Sequence, residues 1–100
     1  VVTIDWSNQV FDDIDSIAEY LSQYSKPFAE AFVSKVFEKA ELLKSFPEMG
    51  RIVPEIGSKN VRELIYKQYR IVYQIVSRDK IRILTVHHSA QPLSLDSLFG

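Results

Sequence analysis

Three side chains carry the clearest chemical possibility in this chain. They are Arg70, inside Tyr69-Arg70-Ile71-Val72-Tyr73, and the adjacent His87 and His88 that close Ile83-Leu84-Thr85-Val86-His87-His88. An imidazole titrates near about 6.5, and a guanidinium keeps its charge at any physiological pH. Cleaving RNA by internal attack of the 2′-hydroxyl requires a base, an acid for the departing oxygen and positive charge at the phosphorane. If the two runs are antiparallel neighbours, a two-residue turn at Arg78-Asp79 sets Arg70 opposite His87. One extra loop residue sets it opposite His88. Glu55, flanked by Pro54 and Gly57, and to a lesser degree Glu48, offer a carboxylate as base or as the group that orients the imidazole. A plainer arrangement uses the same residues: Arg70 salt-bridged to Glu63, or stacked on a tyrosine, with a strand-end histidine in water.

The charge distribution favours a polyanion or an acidic partner. Residues 1–43 hold three Lys/Arg against eight Asp/Glu, and residues 44–82 hold nine against four, so a formal charge of −1 conceals a basic middle. Arg51, Lys59, Arg62, Lys67 and Arg82 are candidates to grip phosphates, with Tyr66, Tyr69 and Tyr73 as stacking surfaces. The same charges serve equally to match an acidic protein or to keep a surface soluble.

These side chains need a scaffold, and the hydrophobic periodicity supplies one. Residues 1–100 read as one domain, with 46% apolar and 25% charged residues. Val2, Ile4 and Trp6 alternate as in a half-buried strand, and Ser7 opens a helix whose stripe is Val10, Ile14, Ile17 and Leu21. Ser25-Lys26-Pro27 breaks that helix and starts a second, with Phe28, Phe32, Val36, Ala40 and Leu43 at helical spacing. The short connection makes the pair an antiparallel hairpin. A short extended piece at Arg51–Glu55, strands over 61–66, 69–76 and 81–87, and turns at Lys67-Gln68 and Ser77–Lys80 follow. The expectation is an α+β fold: an N-terminal strand, a helical hairpin, then a twisted antiparallel sheet of three to four strands. The apolar tail should dock on the sheet through Leu95, Leu98 and Phe99. With no cysteine and no apolar run of membrane length, the chain reads as cytoplasmic, without disulfide, metal or cofactor.

The ordered series Ile4-Asp5-Trp6-Ser7, the paired helices, Phe46-Pro47-Glu48-Met49-Gly50-Arg51, Val61-Arg62-Glu63-Leu64, Tyr69–Tyr73 and Ile83–His88 resembles the RelE/ParE superfamily of bacterial and archaeal toxins, in the set often labelled plasmid stabilisation proteins. The resemblance spans nearly the whole chain. It implies a toxin of a toxin–antitoxin pair, held inactive by an antitoxin that wraps it with an extended or helical segment. RelE-like and YoeB-like members cut mRNA in the ribosomal A site, whereas ParE-like members inhibit DNA gyrase and carry no nuclease centre. The arginine and C-terminal histidine of the YoeB-like centre match Arg70 and His88, and its Pro-Glu step resembles Pro54-Glu55. The lysine set of the RelE-type centre is absent, and so is the arginine that many ParE-type chains carry near Ala90 or Gln91. The expectation is ribosome-dependent mRNA cleavage, with Arg70 stabilising the scissile phosphate, His88 protonating the leaving oxygen and Glu55 as base. Arg51, Arg62, Lys67, Arg82, Tyr69 and His87 would hold the substrate. The alternatives are a non-catalytic gyrase inhibitor and a degenerate toxin that only binds its antitoxin.

Overall fold

The computed structural model describes residues 2–99. The chain runs β1 (Thr3–Trp6), α1 (Asn8–Ser22), α2 (Lys26–Leu42), β2 (Arg51–Ile52), β3 (Val61–Tyr66), β4 (Tyr69–Ser77), β5 (Lys80–His88) and α3 (Leu95–Phe99). Five strands form one sheet in the order β1-β5-β4-β3-β2. The expected α+β class holds. The sheet is larger than the pattern suggested, because β1 joins its edge parallel to β5, with Ile4 beside Ile81 and Trp6 beside Ile83. The extended piece at Arg51–Glu55 shortens to a two-residue edge strand before the chain turns.

Local chemistry sets the helices as expected. The Ser7 side chain accepts from the Val10 N–H and caps α1, and the Ser25 side chain accepts from the Phe28 N–H and caps α2, with Pro27 in the first turn. Val10 and Ile14 of α1 meet Phe32, Val36, Ala40 and Leu43 over Leu64, Tyr69, Ile71, Tyr73, Ile81, Ile83 and Val86, which form the main core. A smaller core lies on the opposite face of the sheet: Val53, Val61, Val72, Leu84 and Leu93, with Ile56 and Leu98 against it. The C-terminal tail supplies its lid, through Leu98 of the residues expected and through Leu93, which was not. Leu93 is the buried anchor and Leu98 packs beside it, while Leu95 and Phe99 stay exposed.

The Phe46–Gly50 loop is pinned to β4. The Tyr73 hydroxyl donates to Pro47 O at 2.8 Å and accepts from Gly50 N at 3.0 Å. A Cβ on Gly50 would meet Glu63 O at 2.7 Å and the Tyr73 hydroxyl at 2.8 Å, so no side chain fits where the backbone passes this close.

The register between β4 and β5 decides which side chains share a face. Ser77 pairs with Lys80 across the Arg78-Asp79 turn, but Ile75 pairs with Ile81, so Val76 is an extra residue on β4. Tyr73 pairs with Ile83 and Val72 with Thr85, so Leu84 is an extra residue on β5. The bulges sit on opposite strands and cancel, returning Arg70 to a place opposite His87 and Tyr69 to a place opposite His88. Helix α1 holds the second bulge where β1 has ended. Ser7 N donates to Ile83 O at 3.1 Å and Ser7 Oγ to Leu84 O at 2.7 Å. Asp13 Oδ2 accepts from Val86 N at 3.2 Å and from the Thr85 hydroxyl.

Thr85 and Val86 are both buried, so replacing Asp13 by alanine strands an N–H and a hydroxyl away from water. We expect Asp13→Ala to lower the unfolding free energy by about 1–3 kcal/mol, with Asp13→Asn retaining most of it through its amide oxygen. Equilibrium urea unfolding followed by circular dichroism measures both.

Candidate functional site

Arg70 rises from β4 on the face opposite the helices and enters a closed set of charges. Its Nε donates to Glu63 Oε1 at 2.5 Å, and its two terminal nitrogens donate to the two oxygens of Glu55 at 2.7 Å each. Glu63 Oε2 also accepts from Arg51 Nε at 2.5 Å. The strands explain the order: Arg51 pairs with Glu63 across β2 and β3, and Glu63 pairs with Val72, two residues along β4 from Arg70. Glu55 arrives on the loop after β2, where Ile56 N and Gly57 N both donate to Val53 O and Gly57 takes a φ of 72°, which favours glycine. The Glu63 side chain is 0% exposed and that of Arg70 5% exposed. Two guanidiniums and two carboxylates balance, as charges withdrawn from water must.

The bidentate contact with Arg70 is the largest cause that lowers the Glu55 carboxyl, from 4.5 to about 2, with burial opposing it. The same contact pushes Arg70 further above its usual range. Glu55 Oε2 also accepts from Leu93 N at 3.1 Å, and Arg70 donates to Gln91 O at 3.4 Å. The ion pair therefore holds the start of the tail across the second core.

The remaining expected residues are distributed as follows. His88 lies on the helix side of the sheet, opposite Tyr69, whose ring it meets edge-on at 5.7 Å. It does not join Arg70. His87 is the histidine opposite Arg70, half-buried, with Nδ1 buried and without a partner. Glu55 and Arg70 do meet, as a bidentate ion pair that keeps Glu55 ionised. Tyr69 is buried against Phe32, so its ring faces are not offered to a base. Arg62 donates to Lys59 O and Gly50 O, both at 2.9 Å, and Arg82 to Asp5 at 3.1 Å. Lys67 stands at the β3–β4 turn with its ammonium 5.7 Å from the ring centres of Phe28 and Tyr66.

The basic middle is thus partly neutralised. Lys44, Arg51, Arg62, Arg70 and Arg82 each meet a carboxylate, leaving Lys59, Lys67, Arg78 and Lys80 without one among the described residues. The sequence reading did not anticipate Asp13 as the residue that holds the bulge, and nothing in its surroundings marks it out from a helix-start aspartate. Glu63 was visible as a partner of Arg70, since both sit in runs that pair. Among the described residues no cluster of three or more His, Cys, Asp or Glu side chains could hold a metal ion, and no helix is long and apolar enough to cross a membrane.

Comparison with known proteins bears on this arrangement. The model of the family described as "ParE toxin of type II toxin-antitoxin system, parDE" matches residues 4–93. The chain is 23% identical over 86 residues to "Toxin RelE2" of Caulobacter vibrioides, covering 86% of this chain and 93% of that protein. A solved structure titled "Chromosomal ParDE TA system from P. aeruginosa" has the same fold, with a TM-score of 0.70 at 20% identity, covering 87% of this chain and 95% of that one.

Two outcomes follow from the charge network. Removing one member of a buried pair leaves its partner uncompensated, so Arg70→Met should cost about 3–5 kcal/mol of stability, and adding Glu63→Met should recover part of it. Urea unfolding of the single and double variants measures this. For Glu55 the folded carboxyl is the more acidic one, so the unfolded chain takes up its proton first as pH falls. The stabilisation is complete above 4.5 and is lost as pH drops from there toward about 2. Unfolding midpoints of the parent should fall across that window, and Glu55→Gln should flatten the fall.

Proposed function

The chain belongs to the ParE toxin family of type II toxin–antitoxin systems, and on that premise we propose that it arrests growth by binding DNA gyrase rather than by cutting RNA. ParE-like members of the superfamily inhibit gyrase and have no nuclease centre. The observation that carries the reading is the state of Arg70. A guanidinium whose three nitrogens already donate to Glu55 and Glu63 has no free edge for a phosphorane. The imidazole matched to a nuclease acid stands across the sheet from it. Cleavage in the ribosomal A site would require opening a buried ion pair, with His88 facing away from it.

The charge pattern supports the same choice. A surface built to track nucleic acid keeps its cations free, and here five of the nine cations of the basic middle meet carboxylates. The exposed apolar side chains of the tail, Leu95 and Phe99, suit contact with a protein. A cognate antitoxin is the second partner, as membership of a toxin–antitoxin family implies.

The purified chain is expected to inhibit supercoiling by purified gyrase, and primer extension on mRNA from arrested cells is expected to show no new A-site ends. His88→Ala should arrest growth as the parent does. Cleaved mRNA that disappears in His88→Ala would overturn the proposal. Arg70 variants do not discriminate, because they lose stability whichever reading holds.

A further inference from the structure

We infer that the cleft between the tip of the helical hairpin and the β3–β4 turn receives the antitoxin, through a carboxylate of that protein set among apolar side chains. The inference rests on the pairing of toxin with antitoxin and goes beyond it by naming the surface and its chemistry. The cleft is open, about 630 Å³, and lined by Tyr20, Tyr24, Phe28, Lys67, Tyr69 and His88 among others, with no acidic residue in its wall. Tyr24 is 74% exposed, Tyr20 and Phe28 are exposed beside it, and Tyr20 and Tyr24 meet edge-on at 5.4 Å. Aromatic rings left in water at one place mark an interaction surface.

Two N–H donors stand in this apolar setting. Lys67 has a φ of 52°, a backbone conformation that Gly and Asn tolerate and lysine seldom adopts. The two-residue turn between Tyr66 and Tyr69 imposes it. Here it holds an ammonium beside the Phe28 and Tyr66 rings with no carboxylate paired to it among the described residues. For His88, Ala90 N donates to Nδ1 at 3.1 Å, so the neutral ring carries its proton on Nε2. Nothing among the described residues accepts from that nitrogen. An ammonium and an imidazole N–H between aromatic walls suit one carboxylate flanked by apolar groups, because ionised acceptors form the stronger hydrogen bonds.

A nucleic-acid strand suits the cleft poorly. Its phosphates need a row of cations, whereas among the described residues Lys67 is the single lysine or arginine lining the cleft.

Isothermal titration of the purified chain with its antitoxin tests the inference. Lys67→Asn, which relaxes the backbone while removing the charge, should weaken binding about tenfold, and Lys67→Glu about a hundredfold. His88→Ala should weaken it about tenfold. Phe46→Ala, at an exposed position beyond the far end of α2, should leave affinity unchanged. In cells, the antitoxin should fail to rescue growth from the Lys67→Glu toxin. Binding of Lys67→Asn within about twofold of the parent would overturn the inference. So would Lys67→Glu that loses growth arrest yet still binds antitoxin, since the cleft would then serve the target. A parent chain that does not bind the antitoxin at all removes the pairing premise and the inference with it. In that case gyrase inhibition is unaffected and stands or falls on its own assay.

Discussion

The guanidinium of Arg70 is the constraint around which the rest of the molecule is arranged. An arginine whose side chain is 5% exposed must have its charge met and its nitrogens satisfied, or the fold loses more than any contact it makes could return. Two carboxylates from different parts of the chain do this. Glu63 comes from the neighbouring strand, and Glu55 from a loop shaped by Gly57. Because Glu55 also accepts from Leu93 N, one carboxylate joins the sheet, the β2–β3 loop and the tail. The small second core under Leu93 is closed by the same bond. A planar fork suits this position, since a lysine could not meet two oxygens of one carboxylate in parallel.

The second constraint is geometric. A strand alternates its side chains with period two, so a single inserted residue exchanges the faces of everything beyond it. Leu84 is such an insertion. Counting outward from Ile83 without it, His87 would lie on the helix side and His88 beside Arg70's face. With it, His88 turns toward Tyr69 and the hairpin. The bulge persists because its polar groups have partners outside the sheet, in Ser7 and Asp13 of the segment that follows β1. The residue that decides the chemistry of the strand end is therefore a helix aspartate more than seventy positions away.

These constraints bear on how the family's members divide. One fold presents both a nuclease and a non-catalytic inhibitor, and fold alone does not choose between them. Here the discriminating features are side-chain commitments. The arginine that could face a phosphodiester is paired, His88 is across the sheet from it while His87 stands opposite it, and half of the other cations of the basic middle meet carboxylates. What stays open to a partner includes apolar and aromatic side chains around Lys67 and His88.

Periodicity and turn chemistry alone determine the hairpin, its caps at Ser7 and Ser25, the turns at Lys67-Gln68 and Arg78-Asp79, and the strands they join. Each depends on neighbours within a few residues. The family was visible for the same reason, since its motifs are local runs in a set order. Spacing left His87 and His88 both open as the residue opposite Arg70, and the structure places His87 there by two bulges that cancel. The fate of the candidate site was not local. Whether Arg70 is free depended on where a distant loop placed Glu55, and the face of His88 depended on a bulge held by Asp13. The tail's anchor proved to be Leu93 rather than Leu95 or Phe99, because only there does the backbone reach Glu55. Sequence spacing encodes which residues repeat along one element, whereas charge pairing and strand insertions are settled between elements far apart in the chain.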